Sequence, residues 1–367
     1  MITKIFDSIP DHRVTGRCIY RLGDLLSIAL LTFICNGEDY QDMSEFAATR
    51  ARDFGLFADC GDHSPSPDTF ERLMAAVSPD EIERCLLQSG RALLDSLAEK
   101  QVVIDGKKLR GASPRSLGNK GLYLMNAFVS ENHIMVAQET VQDKENEIVA
   151  IPRVLDKIDL EGAVVSIDAI GTQVDIAQQI RDKGANYLLS VKANQGSLLE
   201  AVVDTFKFGK AKDSSSEMEA DHGRIEERAC RIIDAGLMED RETAERWPGL
   251  KTLVEVTSTV TPKSGMPTQT TRYFISDEDF PRASYYAMLV RGHWGIENQL
   301  HWQLDVTFSE DASRARRGFA SQNLSSIRKL AMQVIKGQND KRSLKKRRFR
   351  ATLSNDYLTE MLIKAKF

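Results

Sequence analysis

The sequence predicts an α/β protein in which a mixed sheet flanked by helices follows a helical N-terminal region. Residues 1–98 have the apolar spacing of helices, whereas short β-branched runs begin at Gln101 and alternate with helical segments. A chain of 367 residues also exceeds one ordinary core and suits a large domain with a smaller one. We therefore predict a helical domain at 1–98, a sheet domain at 99–335 and a basic tail at 336–367.

The sheet domain is predicted from short strands separated by helices. The predicted strands are QVVIDGKKLR, two within GLYLMNAFVSENHIMVAQETV, AVVSIDAI and NYLLSVK. The predicted helices between them are ENEIVAIPRVLDKIDL and GTQVDIAQQIRDKG. The resulting order, β-β-β-α-β-α-β, predicts a mixed sheet with helices packed on its faces.

A β-rich insertion is predicted at about 195–279. Its β-like segments are DHGRIEERACRIID, KTLVEVTSTV and TRYFISDED, and Lys263-Ser264-Gly265 predicts a hairpin turn. Helix returns in RASYYAMLV, continues through HWGIENQLHW, and occurs once more near SQNLSSIRKLAMQVIKG.

Composition predicts a globular protein of the cytoplasm. Hydrophobic residues make up 42% and charged residues 28% of the chain, and no apolar run reaches the length of a membrane span. The first residues, MITKIFDSIPDHR, lack the apolar run of a signal peptide. The five cysteines form no CxxC pair, which predicts buried thiols in a reducing compartment rather than a zinc site. We therefore predict cytoplasmic localisation and no membrane partner.

Basic residues are concentrated near the C-terminus, although the net charge is −4. Between Asp311 and Arg350 there are thirteen Lys or Arg and two acids, and seven of the ten residues in KRSLKKRRFR are basic. Such a block is typical either of a solvated tail or of a surface that contacts nucleic-acid phosphates.

Two aspartates follow apolar strand residues in a similar way. Asp105 follows Ile104 in IDGK, and Asp168 follows Ile167 in SIDAI. Each could simply cap the next turn. Because a carboxylate beside a buried strand is costly without compensation, a pair of them at one sheet edge instead favours a bound cation.

Glu297 is the candidate third carboxylate. His293, Glu297 and His301 recur every four residues and therefore share one face of a helix, which is either an ordinary polar face or part of a site. Mg²⁺ prefers oxygen ligands, and two such ions can assist phosphoryl transfer. Asp105, Asp168 and Glu297 are thus predicted to be catalytic and to bind metal.

The order of several motifs resembles a known family. IDGK, ENEI, SIDAIGTQ, NYLLSVKANQ, HGRIEER and HWGIENQLHWQLDVTFSED, together with PSPDTFERL near the N-terminus, are similar to the DDE insertion-sequence transposases, above all the H-repeat-associated transposase-like proteins. The resemblance implies a ribonuclease H-like fold with acids on the first strand, after the fourth strand and on a later helix. Asp105, Asp168 and Glu297 match these places, and the β-rich insertion before the last acid also fits.

The resemblance further implies an activity and partners. The chain would use Mg²⁺ or Mn²⁺, two ions together, to cleave DNA at insertion-sequence ends and transfer the strand to a target. Its partners would be the terminal inverted repeats and target DNA, on which it would form a homodimer. DNA contacts are predicted, against the alternative of a solvated surface, at Lys107, Lys108, Arg110, Lys192, Asn194, Gln195, His222, Arg224, Arg228, Arg291, His293 and His301. Trp294 and Trp302 are instead predicted to lie in the core.

Two other hypotheses remain open. Related transposases often carry Tyr, Arg and Lys at the places of Val290, His293 and Leu304, so the chain could be a domesticated or inactive, DNA-binding derivative. A zinc hydrolase using His293, Glu297 and His301 is the other hypothesis, but its histidines are eight residues apart, whereas the known helical zinc motif spaces them by four.

Overall fold

The computed structural model describes residues 5–14, 16–57, 63–94, 96–112, 122–141, 147–221 and 223–365. The strands in these ranges are β1 (Gln101–Lys108), β2 (Tyr123–Val129), β3 (Ile134–Val141), β4 (Val164–Ile167), β5 (Asn186–Val191), β6 (Asp213–Asp221), β7 (Arg224–Asp234), β8 (Thr252–Pro262) and β9 (Thr268–Ser276). The helices are α1 (Leu22–Ile34), α2 (Tyr40–Thr49), α3 (Pro67–Ala76), α4 (Pro79–Ala92), α5 (Glu147–Asp156), α6 (Val174–Asp182), α7 (Gly196–Phe208), α8 (Arg241–Glu245), α9 (Ala283–Ile296), α10 (Ala320–Lys336), α11 (Leu344–Leu353) and α12 (Asn355–Lys364).

The described strands form one mixed sheet in the order β3-β2-β1-β4-β5-β9-β8-β7-β6. β1, β4 and β5 run parallel, and β2 and β3 pair antiparallel on the other side of β1. The predicted mixed α/β fold is therefore confirmed, and it is consistent with a ribonuclease H-like arrangement. Because β1 and β4 are adjacent parallel strands with Ile104 opposite Ile167, the residues that follow these two positions lie side by side.

The segment predicted as a β-rich insertion continues the same sheet. Its last strand, β9, pairs antiparallel with β5, and β8, β7 and β6 follow outward as antiparallel neighbours. The turn between β8 and β9 contains Gly265 at φ 115°, a left-handed conformation that suits glycine. α9 then packs on one face of these outer strands, where Cys230, Val254, Phe274 and Val290 are buried.

The two faces of the inner sheet have separate cores. Val102 and Ile104 point to the core shared with α5 and α6, whereas Val103 points to the core shared with α1 and α10. Residues of a strand alternate between faces, so Asp105 lies on the same face as Val103. The predicted helical character of the first 98 residues is seen in α1 to α4, and these helices share one apolar core with α10 to α12.

The basic C-terminal segment, which was predicted as a tail, forms the helices α11 and α12. Arg348 in α11 is buried and donates hydrogen bonds to the carbonyls of Phe33 at 2.9 Å and Gly37 at 3.2 Å. Arg347 pairs with Asp340 at 2.8 Å. These two cations therefore fasten the helix to its surroundings, while Lys345, Lys346 and Arg350 remain exposed.

Two further observations concern the cysteines and the apolar length of the helices. Cys35, Cys85 and Cys230 are buried as predicted, but Cys18 is exposed, and Cys60 lies outside the described residues. Within the described ranges, none of the helices combines the length and apolarity needed to cross a membrane.

Candidate metal centre

Asp105 and Asp168 lie on neighbouring strands. β1 and β4 are parallel with Ile104 opposite Ile167, so the next residue of each chain segment is one of these aspartates. Adjacent strands are about 4.8 Å apart, which places both carboxylates at one position of the sheet edge. Asp168 directly follows its strand as predicted. Asp105 closes the apolar run of its strand but lies inside β1, because pairing with β2 carries the strand on to Lys108.

Glu297 and His301 approach Asp105 from the helical side. Past Ile296, α9 widens into two π-helical segments, Glu297–His301 and Gln303–Thr307, a form frequent at functional sites. The imidazole Nδ1 of His301 is 3.5 Å from Glu297 Oε2 and 3.6 Å from Asp105 Oδ2. Among the described residues, these three side chains form a group whose ligand atoms lie within 4.8 Å of one another.

Burial and like charges make this cluster electrostatically unfavourable. Burial, followed by repulsion from Glu297 and Asp168, raises the pKa of Asp105 to about 7, although His301 opposes the shift. The His301 ring beside it lowers the pKa of Glu297, whose side chain is more exposed. Because a nearby cation favours the charged form of all these acids, the cluster would gain from a bound metal ion.

His293 lies beside the cluster but is directed elsewhere. Its Nδ1 is 3.1 Å from the hydroxyl of Ser166, which also accepts a hydrogen bond from Gln101 at 2.8 Å. Burial lowers the pKa of His293 to about 4, so the ring is neutral at pH 7. The ligand group found among the described residues does not include His293, which leaves the zinc-hydrolase hypothesis without its second histidine.

A fourth acid, Glu147, borders the site and was not singled out from the sequence. A side chain at Gly106 would meet the Glu147 carboxyl carbon at 3.3 Å, so this carboxylate lies against the backbone that follows Asp105. Burial and repulsion from Asp168 raise the pKa of Glu147. The motif ENEI was the available signal, but it served only as part of the predicted helix and of the family resemblance.

Lys107 contributes a buried positive charge. Its ammonium is 2.5 Å from Asp305 Oδ1 and 3.7 Å from Glu310 Oε2, and the residue is 6% exposed. The Lys107–Asp305 pair joins β1 to the second π-helical segment. A contact with a DNA phosphate would require this pair to break, and the burial of His301 similarly opposes its predicted DNA contact.

Asn194 and Gln195 hold the loop that follows Asp168. Asn194 donates to the carbonyl of Ala169 at 2.6 Å, and Gln195 donates to the carbonyl of Thr172 at 2.7 Å. Asp168 itself accepts hydrogen bonds at Oδ1 from the backbone of the same loop, at 3.2 and 3.4 Å. These amides therefore position the second aspartate, whether or not they also touch DNA.

The remaining predicted DNA contacts lie on the surface around the site. Arg224, Arg228 and Arg291 line a groove of about 530 Å³ between α9 and the outer strands. Glu219 pairs with Arg228 at 3.0 Å and with Arg291 at 2.8 Å. Lys192 and Arg110 are exposed, and Lys108 lies over the Tyr123 ring. His222 lies outside the described residues.

The two tryptophans beside Glu297 are not core residues. Trp294 is 46% exposed and Trp302 is 52% exposed, so the prediction for both is wrong. Trp294 instead lies under the Arg272 guanidinium, 4.8 Å from its ring centre, at the wall of the same groove.

These residues fit a divalent metal ion. Two carboxylates converge with a buried imidazole whose Nε2 has no hydrogen-bond partner among the described residues, and a third carboxylate stands on the next strand. Carboxylate oxygens are the ligands that Mg²⁺ and Mn²⁺ prefer.

Comparison with known proteins identifies the class. Residues 97–333 match the family described as "Transposase DDE domain", and residues 3–88 match "DDE_Tnp_1-associated". The first match covers more than half of the chain, which therefore belongs to the DDE transposase family, as its motifs predicted.

Individual relatives agree along nearly the whole length. A protein of Escherichia coli O157:H7 named "Putative transposase YncI" is 34% identical over 361 residues, covering 96% of this chain and 92% of the relative. "H repeat-associated putative transposase YhhI" of Escherichia coli K12 is 32% identical over 367 residues, with 96% and 95% covered. A protein of Xanthobacter autotrophicus, "Uncharacterized protein in dhlA 3'region", is 35% identical over 258 residues, 69% of this chain and 86% of the relative.

Proposed function

We propose that the protein cleaves DNA at the ends of an insertion sequence and transfers the strand to a target, using divalent metal ions. The observation that carries the proposal is the convergence of Asp105 and Glu297, with Asp168 in register on the next strand. Three acids from separate parts of the sequence lie close together, although their mutual repulsion makes this unfavourable. Such an arrangement is typical of a site that holds cations.

Asp105, Asp168 and Glu297 would hold Mg²⁺ or Mn²⁺, two ions as the family implies. Bound ions would lower the pKa of the attacking water and stabilise the leaving oxygen of the phosphodiester. The protein supplies the geometry: Asn194 and Gln195 fix the loop of Asp168, and the Lys107–Asp305 pair ties the helix of Glu297 to β1. A rigid set of ligands reduces the reorganisation needed in the transition state.

The groove beside α9 is the proposed path for DNA. Arg224, Arg228 and Arg291 line it, and it opens along the same helix that carries Glu297. Acids lie among these arginines, and Glu219 already pairs with two of them. DNA phosphates would replace Glu219 as the partner of the guanidinium groups, so binding should weaken as salt rises.

An inactive, DNA-binding derivative is the second candidate. Val290 and Leu304 are buried apolar residues at places where related transposases often carry Tyr and Lys. Lys107 provides a buried cation near Glu297, which lowers the pKa of that acid, so the site is not without positive charge.

One assay separates the two candidates. Duplex DNA carrying the inverted repeats that flank the protein's own reading frame is incubated with Mg²⁺ or Mn²⁺, and nicked and joined products are measured. We expect wild type to cut at the repeat ends and Glu297→Gln to bind the DNA without cutting. If wild type and Glu297→Gln bind alike and neither cuts with either ion, the enzyme proposal fails and the DNA-binding derivative is supported.

A further inference from the structure

His301 occupies an unusual position for a histidine. It is 5% exposed, yet its Nδ1 faces two carboxylates, and its Nε2 has no hydrogen-bond partner among the described residues. The polar contacts of the ring among the described residues are therefore those of Nδ1, which faces the space between Asp105 and Glu297.

The distances do not describe hydrogen bonds. Nδ1 lies 3.6 Å from Asp105 Oδ2 and 3.5 Å from Glu297 Oε2, beyond the usual range of about 2.7–3.2 Å for such a bond. An octahedral ion with ligands at about 2.1 Å separates neighbouring ligand atoms by about 3.0 Å and opposite ones by about 4.2 Å. The two observed separations are somewhat longer than the neighbouring-ligand distance, and all three ligand atoms lie within 4.8 Å of one another, so small side-chain rotations would bring them onto one ion.

The surrounding structure keeps the ring in this place. Leu300 and Leu304 on either side of His301 are fully buried, so the π-helical segment is anchored in the apolar core. The Lys107–Asp305 pair, at 2.5 Å, fixes the following turn to β1, the strand that carries Asp105. His301 therefore reaches Asp105 and Glu297 without a change of backbone conformation.

We propose that His301 Nδ1 is a direct ligand of a metal ion held by Asp105 and Glu297, and that this mixed nitrogen and oxygen site selects Mn²⁺ over Mg²⁺. The inference rests on the proposed metal-dependent function and deepens it. Imidazole suits transition metals, whereas Mg²⁺ is best served by oxygen ligands and water. His301 thus acts on the metal rather than on DNA.

The test is the electron spin echo envelope modulation of the full-length protein loaded with Mn²⁺, which detects nitrogen bonded to the ion. We expect nitrogen modulation in wild type, its loss in His301→Gln and its retention in His293→Asn. His293 is the matched control, because it lies on the same helical face but is directed to Ser166. Labelling wild type with ¹⁵N-histidine assigns the signal to a histidine even if His301→Gln does not fold, and its retention in His293→Asn then excludes the other histidine beside the site.

Affinity measured by calorimetry gives a second readout. His301→Gln should weaken Mn²⁺ binding by about tenfold or more and Mg²⁺ binding by much less, since only the nitrogen ligand is lost. Absence of nitrogen modulation in wild type, or its loss in His293→Asn rather than in His301→Gln, would overturn the proposal. A protein that binds Mn²⁺ through nitrogen but cuts no DNA would refute the proposed activity alone.

Discussion

Two neighbouring clusters of polar side chains lie along β1, β2 and β3, and their charges are balanced differently. Asp105 is directly opposite Asn126 on β2, which in turn is opposite Gln138 on β3, so the three side chains form a row. At one end of the row are the carboxylates of the candidate metal centre. At the other, Lys329 of α10 donates to Asn126 Oδ1 at 2.6 Å and also to Gln138.

The second cluster is balanced by the protein itself. Beyond Gln138, the ammonium of Lys157 is 2.7 Å from Glu83 and 2.8 Å from Glu139. In the carboxylate cluster the acids converge on one another, and the nearby Lys107 is already paired with Asp305. A charge with partners inside the protein therefore stabilises the fold, whereas converging like charges indicate a ligand from outside.

The largest expected effect is on activity. Asp105→Asn should slow DNA cleavage by roughly 10³-fold, because a metal ligand contributes several kcal/mol to the transition state. The melting temperature should not fall, since the substitution removes a repelling charge from a buried position. Single-turnover cleavage and thermal unfolding measure both effects. A large loss of stability would show that Asp105 serves the fold, as the Lys329 cluster does.

The next effect concerns the ion pairs that Lys157 makes with Glu83 and Glu139. Lys157→Met removes the cation of Glu83, while Glu139 keeps Arg153 at 3.1 Å, and should lower the free energy of unfolding by about 2 kcal/mol, a value reduced for partial exposure. Urea unfolding measures it. Lys207→Met, which removes an exposed pair with Asp204, is the control and should leave the free energy of unfolding nearly unchanged. Equal losses in the two variants would remove the distinction between the clusters.

The smallest effect is a pH dependence from Lys329. Burial lowers its pKa to about 8, below the value of an unfolded lysine, so the unfolded chain binds more protons above that pH. Stability relative to Lys329→Met should therefore rise with pH, on the order of 1 kcal/mol from about pH 8 to about pH 9.5. Urea unfolding of both proteins across this range tests the sign. A difference that falls with pH would contradict a charged, buried Lys329.

The sequence predicted the candidate acids better than their surroundings. Asp168 was recognisable because a short apolar strand ends directly before it, and Asp105 because apolar residues precede it. The pairing of β1 with both β2 and β4 was not visible, because it depends on segments that are distant in the sequence. The continuation of the sheet from β5 into β9 was also not predictable, since it depends on pairing between distant segments.

The helical side of the site was also only partly predictable from the sequence. Helical spacing predicted that Glu297 and His301 share a face, but not that the helix widens there or that His301 is buried against Asp105. The exposed Trp294 and Trp302 were misjudged because large aromatic residues are usually buried, whereas here they border a groove and the surface. Glu147 reaches the site only through the packing of α5 beside β1.

A calorimetric titration of the full-length protein with Mn²⁺ tests the central claim, that Asp105, Asp168 and Glu297 form one metal centre. Wild type should bind Mn²⁺, and Asp105→Asn, Asp168→Asn and Glu297→Gln should each weaken binding by about tenfold or more. Asp204→Asn, at an exposed pair far from the site in sequence, should bind as wild type does. Failure of wild type to bind Mn²⁺, or unchanged affinity in the three carboxylate variants, would contradict the account.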